Sequence, residues 1–220
     1  TTTHFTLTGD QTYVAKSVIL ATGTTPRRLN LINESELIGH GISYCATCDG
    51  AFYQNQTVAV VGGGNSALLA ASYLSNIAQK VFLIHRRNHF TAEKALVSQI
   101  QNSTNIEILY NQEILACHAN EDNHLDSLIL KNQQILPVSS LFVEIGRLSS
   151  LTEIFKDSNL KSLLLFDQSG FIITDDTCST NLAGLFAAGD CRSKNFRQLV
   201  TASSDGAIAA NSAIEFLSQI

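Results

Sequence analysis

Short apolar runs alternate with stretches of helical periodicity along this chain, and several of the runs end at a glycine. This order is typical of α/β folds and disfavours a helical bundle or a β-sandwich. Strands are predicted at residues 17–21, 58–61, 81–84, 106–109, 125–130, 141–145, 171–174 and 185–187. Helices are predicted at residues 65–76, 92–101 and 204–217.

The composition predicts a folded protein. Of the 220 residues, 45% are apolar and only 15% are charged, which is too few charges for disorder driven by repulsion. The net charge is -5 and no basic cluster exceeds two residues, so we expect neither nucleic acid nor anionic lipid as a partner. No apolar run reaches the roughly 18 residues of a membrane span. We therefore expect a soluble, cytoplasmic protein.

A glycine-rich turn connects a predicted strand to a predicted helix in the segment VAVVGGGNSA, residues 58–67. In dinucleotide-binding folds the first glycine allows a tight turn, the second lets the backbone approach a pyrophosphate, and a small residue lets the helix pack closely on the strand. The alternative is a glycine turn that binds nothing. The candidate cofactor-binding residues here are Gly62, Gly63, Gly64, Asn65 and Ser66.

The end of the next strand predicts which dinucleotide is bound. NAD sites place an acidic residue there to hold the ribose 2′-hydroxyl, whereas this chain has His85, Arg86 and Arg87 and no acid among them. Basic residues favour a 2′-phosphate, and hence NADPH. The alternative is a solvated basic pair at the start of a surface loop.

Cys45 and Cys48 form a CxxC pair that is followed at once by Asp49. Cysteines at this spacing can close a small, reversible disulfide, and the neighbouring carboxylate can take or give the proton that thiol chemistry requires. One alternative is half of a zinc site, but the chain offers no second pair of ligands at short spacing, so we expect no metal. The other alternative is a buried, inert pair.

Two segments near the C-terminus suggest contacts to a larger ligand. Gly189 and Asp190 end a predicted strand, a geometry suited to holding a chain of sugar hydroxyls with the carboxylate; the alternative is a turn with a capping Asp. Arg197 and Gln198 precede the last helix, where backbone amides can meet an electron-rich ring edge. Alone, that pair would be an ordinary surface feature.

Six motifs occur together, in one order and at fixed spacings. They are YCATCDG at residues 44–50, VAVVGGGNSA at 58–67, LIHRR at 83–87, LFVEIG at 141–146, GLFAAGD at 184–190 and RQLVTA at 197–202. In combination they resemble the low-molecular-weight bacterial thioredoxin reductases, and the resemblance extends over nearly the whole chain.

The resemblance implies a Rossmann-like, three-layer, two-domain flavoprotein reductase in which an NADPH domain is inserted into an FAD domain. Residues 30–146 would form the NADPH domain with the redox pair, and residues 1–29 and 147–220 would form an incomplete FAD domain. Beyond the glycine turn, the cofactor-binding residues would be Ala21, Thr22, Gly23, His85, Arg86, Arg87, Ile145, Gly146, Gly189, Asp190, Arg197, Gln198 and Leu199.

The resemblance also implies a route for the electrons. Hydride would pass from NADPH to the flavin, and electrons from the flavin to the Cys45–Cys48 disulfide. The dithiol would then reduce thioredoxin or a thioredoxin-like protein after the two domains rotate. Cys48 would face the flavin, Cys45 would attack the partner, and Asp49 would donate the proton. A homodimer is expected.

The chain departs from the family pattern at several places. No FAD-binding glycine turn precedes Thr1, so we expect half of the flavin site to be missing from this chain. Thr91 stands where a third arginine is expected. The paired glutamates of the family are Leu69 and Ala70 here, and the Pro-Asn pair is Ser149–Ser150.

Two hypotheses follow for the function. The first is the greater part of an NADPH-dependent, FAD-containing disulfide reductase, which the intact Cys45, Cys48 and Asp49 favour. The second is a redox-inactive fragment or descendant that acts as a dinucleotide-binding or dimerisation module, which the missing turn and the lost glutamates favour.

Overall fold

The computed structural model describes residues 4–151, 155 and 159–220, and the chain divides into two compact units. One unit is Pro26–Gly146, and the other joins the residues up to Thr25 with Arg147–Ile220. The sequence prediction set its boundaries at residue 30 and after residue 146. What each unit binds stays a prediction.

The elements alternate between strand and helix, as the hydrophobic pattern predicts. In chain order the strands are β1 (Phe5–Thr8), β2 (Thr12–Ala15), β3 (Val18–Leu20), β4 (Thr24–Pro26), β5 (Ile42–Ser43), β6 (Thr57–Gly62), β7 (Lys80–His85), β8 (Ile106–Tyr110), β9 (Ile114–Ala119), β10 (Leu125–Leu130), β11 (Ile135–Pro137), β12 (Ser140–Glu144), β13 (Arg147–Ser149) and β14 (Leu185–Ala187). The helices are α1 (Glu34–Leu37), α2 (Ala46–Asp49), α3 (Asn65–Ser75), α4 (Lys94–Gln101), α5 (Leu160–Leu163) and α6 (Leu199–Ser218).

The unit Pro26–Gly146 is built on a parallel sheet with strand order β5-β12-β6-β7-β8. The chain adds β7 and β8 on one side of β6 and returns to add β12 on the other side. Ligands of open α/β sheets bind at such a switch point, outside the carboxyl ends of the two central strands. Gly62 and Glu144 lie opposite each other at that edge.

Both faces of this sheet are covered, which explains why its strands are continuous apolar runs rather than alternating ones. Val58 and Val60 of β6 point to the face covered by α3 and α4. Ala59 and Val61 point to the opposite face, where the antiparallel sheet β11-β10-β9 packs. The described residues of these two cores all belong to Pro26–Gly146, so the unit has an interior of its own.

The second unit contains the hairpin β1-β2, the parallel pair β3-β14 and the pair β4-β13. Residues of β14 face two cores in alternation: Leu185 and Ala187 point to one, while Phe186 packs with Ala209 and Ala213 of α6 on the other side. None of the helices in the described part of the chain is long and apolar enough to cross a membrane.

Most of the predicted elements are confirmed, and two predictions need correction. The predicted strand at 171–174 is wrong, because in this segment only Ile172 forms bridges, to Phe166 and to Arg192. The last helix begins at Leu199, five residues before its predicted start at Ser204. Its first turn exposes Leu199 and Val200, so the apolar periodicity used for the prediction is absent there.

Candidate functional site

Cys45 and Cys48 form a disulfide at the start of α2, with their Cα atoms 5.3 Å apart. The pair follows β5 directly, so the carboxyl end of a buried strand positions it. Cys45 is half-buried and Cys48 is exposed, while Ala46 between them is buried in the core beneath α3. The turn is thus anchored in the unit through Ala46, while both cysteines are at least partly accessible to solvent.

Asp49 is held beside this pair by a residue that the sequence reasoning missed. The buried hydroxyl of Ser43 donates a 2.6 Å hydrogen bond to Asp49 Oδ2 and accepts one of 3.0 Å from the Cys45 amide. The available signal was a polar residue at the end of a buried strand, two residues before the first cysteine. The Ser43 hydroxyl therefore links the Asp49 carboxylate to the backbone amide of Cys45.

A second buried polar group fixes the chain before the cysteines. Glu34 is only 2% exposed and accepts hydrogen bonds from the amides of Leu29 and Leu31 and, at 2.6 Å, from the Tyr44 hydroxyl. Burial, together with this bond to an acidic partner, raises the pKa of Tyr44 well above its usual value of 10.0. Tyr44 therefore stays protonated and continues to donate its hydroxyl proton to Glu34. This hydrogen bond orients Tyr44, the residue that directly precedes Cys45.

The glycine turn lies at the switch point between β6 and β12. A Cβ on Gly62 would lie 2.2 Å from the Glu144 carbonyl oxygen, and one on Gly63 would lie 2.1 Å from the His85 ring. Gly64 is different: the nearest described atom to a Cβ there is Thr91 Oγ1, at 3.9 Å. The first two glycines are thus required by packing, while the third leaves open space in front of α3.

The N-terminus of α3 faces this open space. Its N-cap is Gly64, so in the described structure no side chain caps the first helical amides, which remain available to an anion. Asn65 pairs with Glu93 through two hydrogen bonds of 2.9 Å, and Thr91 bonds the Gly63 carbonyl through its amide and hydroxyl. These contacts hold the segment before α4 against the turn. Ser66 is exposed in the first turn of α3.

The three basic residues after β7 lie in different environments. Arg86 and Arg87 are exposed. His85 is buried against Gly63 and Phe90, with Nε2 2.9 Å from the His89 carbonyl oxygen. Burial, reinforced by the two arginine charges, lowers the pKa of His85 below its usual 6.5. A neutral imidazole therefore supports the glycine turn from inside.

In the other unit, two parallel strands bring two predicted segments together. The amide of Ala188 donates to the Leu20 carbonyl, so the turn Ala21–Gly23 after β3 lies beside the turn Gly189–Asp190 after β14. Gly23 and Gly189 both have left-handed backbone conformations, with φ of 63° and 77°. The sequence prediction names both turns, and the strand pairing makes them neighbours.

The start of α6 lies against the same turn. The guanidinium of Arg197 stacks on the ring of Phe171, with Cζ 4.1 Å from the ring centroid. Its Nε donates a hydrogen bond of 3.4 Å to the Asp190 carbonyl oxygen. Gln198 is the N-cap of α6, and its amide donates to Thr201 Oγ1. Leu199 is 84% exposed in the first helical turn.

Asp205 of α6 is a further residue that sequence reasoning missed. Its Oδ2 accepts a 3.0 Å hydrogen bond from the Gly189 amide and a 2.7 Å bond from Lys194, and its Oδ1 accepts from Arg192 at 3.1 Å. Burial opposes ionisation here, but these donors prevail and lower the pKa of Asp205 below its usual 3.8. The ionised carboxylate fixes the Gly189–Asp190 turn.

The predicted residues thus form separate groups. The redox turn (Cys45–Asp49), the glycine turn, His85 with the arginine pair, and Ile145–Gly146 belong to Pro26–Gly146. The other candidates belong to the second unit. Ile145 and Gly146 follow β12 at the switch-point edge. Among the described residues, no group of three or more His, Cys, Asp or Glu side chains is arranged to hold a metal ion.

Residues 1–206 match the family model described as pyridine nucleotide-disulphide oxidoreductase. Curated relatives include a thioredoxin reductase of Listeria innocua, 38% identical over 96% of this chain, and one of Mycoplasma pneumoniae, 43% identical over 91%. The chain covers 66% and 63% of these two relatives, so it spans about two thirds of their length.

Solved structures give the same result at the level of the fold. The thioredoxin reductase of Streptococcus pyogenes superposes with a TM-score of 0.84 and 36% identity, covering 97% of this chain and 69% of that one. The thioredoxin reductase of Giardia duodenalis has a TM-score of 0.86 and 34% identity, covering 95% and 68% of the two chains.

Proposed function

This chain belongs to the pyridine nucleotide-disulphide oxidoreductase family, and from that premise we propose that it carries most of an NADPH-dependent, FAD-containing thioredoxin reductase. The substrate is the disulfide of thioredoxin or a thioredoxin-like protein. The observation that carries the proposal is the Cys45–Cys48 disulfide with Asp49 held beside it, in the same unit as the glycine turn. A module without redox activity has no need of a carboxylate fixed next to an exposed disulfide.

The switch-point edge of Pro26–Gly146 fits NADPH. The open space above Gly64 admits a pyrophosphate, and the uncapped amides of α3 supply donors to it. Arg86 and Arg87 are exposed and suit a 2′-phosphate, since guanidinium groups bind phosphate through paired, charge-assisted hydrogen bonds. Thr91, which occupies the place of a third arginine, is engaged with Gly63 and adds no charge.

The turns of the second unit fit part of FAD. Asp190 offers a carboxylate for ribityl hydroxyls, and among the described residues a Cβ on Gly23 would meet no atom within 4 Å. Leu199 begins a 20-residue helix with Gln198 as its N-cap, and the first amides of this helix can meet the edge of a flavin ring. When bound, NADPH would supply a hydride, and FAD would supply the electron pair that reduces the Cys45–Cys48 disulfide.

The residues of the chain itself perform the exchange with the partner. In the dithiol form, the Cys45 thiol gives its proton to the Asp49 carboxylate, and the thiolate attacks one sulfur of the partner's disulfide. A mixed disulfide forms and the partner's other sulfur leaves as a thiolate. Cys48 then attacks Cys45, restoring the Cys45–Cys48 bond and releasing the second partner thiolate. The two thiol protons end on the reduced partner.

The proposal includes the setting of the protein. Cys117, Cys178 and Cys191 are buried thiols outside the disulfide, which suits a reducing compartment such as the cytoplasm. The homodimer that the sequence resemblance implies belongs to the same proposal, and light scattering on the full-length protein measures it.

The test is NADPH oxidation by the full-length protein with FAD, in the presence and absence of thioredoxin. We expect consumption of NADPH that depends on thioredoxin and a matching release of thioredoxin thiols. A protein that binds NADPH but never reduces a disulfide would instead be the redox-inactive dinucleotide-binding module.

A further inference from the structure

Ser43 is a buried polar residue that links the two functional parts of the redox turn. It ends β5 and is only 5% exposed. Its hydroxyl has a single proton and two acceptors within reach: Asp49 Oδ2 at 2.6 Å and the Cys45 carbonyl at 3.4 Å. The shorter bond goes to a charged acceptor and is therefore the stronger one. The same oxygen accepts the Cys45 amide at 3.0 Å.

From this geometry we propose that Ser43 is a positioning residue for thiol–disulfide exchange, which holds the Asp49 carboxylate in register with Cys45 as its proton acceptor and donor. The inference rests on the proposed function, because Asp49 has its proton-transfer role there. Ser43 itself does not react.

The physical reason is the freedom of an unrestrained carboxylate. Asp49 is the last residue of α2, a helix of four residues, and is only half-buried, so packing alone does not select one side-chain rotamer. The bond from Ser43 selects one. Because the same hydroxyl also binds the Cys45 amide, the carboxylate and the backbone of the attacking cysteine share one anchor. General acid–base catalysis requires this kind of fixed geometry before the chemical step.

The alternative is a purely structural role for Ser43 at this buried position. Its hydroxyl would then serve only to satisfy the Cys45 amide, and its removal would destabilise the turn without any specific connection to Asp49. The two roles are distinguished by whether the effect of removing Ser43 depends on Asp49. A double-mutant cycle measures that dependence.

The experiment uses full-length protein reduced with dithiothreitol, freed of reductant and then mixed with Ellman's reagent, with no NADPH present. The Cys45 thiolate attacks the reagent and releases one thionitrobenzoate; Cys48 attacks Cys45, releases the second and closes the disulfide. The protein dithiol is oxidised and the reagent disulfide is reduced. The rate of colour formation at pH 7 is compared for the native protein, Ser43→Ala, Asp49→Asn and the double variant.

We expect Ser43→Ala to slow the reaction about 10-fold, as a displaced proton acceptor loses part of the 10²- to 10⁴-fold that general base catalysis provides. In the Asp49→Asn background the same change should have less than about a twofold effect. Ser43→Thr keeps the hydroxyl on a β-branched side chain that strands accept, and it should stay within about threefold of native.

Ser140→Ala is the matched control. Ser140 is also buried and lies on the adjacent strand β12, but its hydroxyl donates to the Gly41 carbonyl at 2.9 Å rather than to Asp49. We expect both Ser140→Ala and Ser43→Ala to lower the melting temperature. Ser140→Ala should leave the exchange rate unchanged. Equal slowing by Ser43→Ala in both backgrounds, no slowing at all, or a Ser43→Thr variant as slow as Ser43→Ala would overturn the proposal.

The assay separates this inference from the proposed function. A protein that fails to oxidise NADPH with thioredoxin, yet shows the expected coupling between Ser43 and Asp49, refutes the proposed function and leaves the positioning role standing. A working thioredoxin reductase without the coupling refutes only the positioning role.

Discussion

At the scale of single residues, Cys48 allows the two halves of the proposed reaction to be separated. In the full-length protein, Cys48→Ser should abolish NADPH-driven disulfide reduction and leave NADPH-to-flavin reduction intact, because hydride transfer does not use the thiols. Stopped-flow absorbance of the flavin, paired with a steady-state disulfide assay, measures both steps. Cys117→Ala, which changes a buried thiol of β9, should affect neither. Loss of both steps in Cys48→Ser would contradict the assignment of roles.

Arg86 is the residue on which the proposed preference for NADPH depends most directly. Arg86→Ala should raise the KM for NADPH by about 10- to 100-fold, since one charge-assisted hydrogen bond contributes about 1.5 to 3 kcal/mol. NADH has no 2′-phosphate, so its KM should hardly change. Arg28→Ala is the control, because Arg28 is an exposed arginine of the same unit that bonds Ser35. If the KM values for NADPH and NADH rise by the same factor, the role of Arg86 is structural.

Asp205 should make the stability of the protein depend on pH. The pKa of its carboxyl is lower in the folded state than the usual 3.8, so the unfolded chain takes up the proton first. Its stabilisation is therefore fully present above about pH 4 and is lost as the pH falls through the folded-state pKa.

Chemical denaturation tests this dependence. At pH 7, Asp205→Asn should reduce the free energy of unfolding by about 3 kcal/mol, because the charges of Arg192 and Lys194 lose their buried partner. The difference between native protein and variant should shrink at pH 3. Asp122→Asn, at an exposed turn position, should change little at either pH. A difference that stays constant would show that Asp205 contributes only by packing.

At the scale of elements, the connection between β6 and α3 predicts opposite effects for neighbouring glycines. In Gly63→Ala the new methyl group would overlap the His85 ring, which should destabilise the unit by about 1 to 3 kcal/mol. In Gly64→Ala the methyl group enters the space proposed for a pyrophosphate, so stability should be retained while NADPH binding weakens. Thermal melting and NADPH titration measure the two effects. The reverse pattern would place the phosphate elsewhere.

At the scale of the whole molecule, the two units should differ in independence. Pro26–Gly146 contains both cores of its sheet, so expressed alone it should fold and bind NADPH. Circular dichroism, thermal melting and NADPH fluorescence test this. An unfolded fragment would mean that its cores need the rest of the chain.

Flavin retention by the 220 residues is the complementary measurement. Each dinucleotide needs one glycine-rich turn between strand and helix for its pyrophosphate, and among the described residues Gly62–Gly64 is such a turn and lies beside the arginines suited to NADPH. A chain of these 220 residues should therefore not retain FAD. Yellow protein with stoichiometric flavin would contradict this inference.

The sequence by itself was sufficient for those features that depend on neighbours along the chain. The α/β alternation, the strands β6, β7 and β12, and the helix α3 follow from apolar periodicity. The glycine turn follows from three consecutive glycines between a strand pattern and a helix pattern, and the CxxC pair from its spacing. Each of these is set within about ten residues, where propensity and patterning act.

The tertiary structure decided whatever depends on residues that are distant in sequence. Asp205 reaches Gly189, 16 residues away, and Asn65 reaches Glu93, 28 residues away, only because packing brings α6 and α4 to the two turns. Ser43 was overlooked since its importance depends on the rotamer of Asp49. In the predicted strand at 171–174 only Ile172 forms bridges, to Phe166 and Arg192. How many residues of a segment pair with their neighbours depends on chain that is distant in sequence, which an apolar run cannot specify.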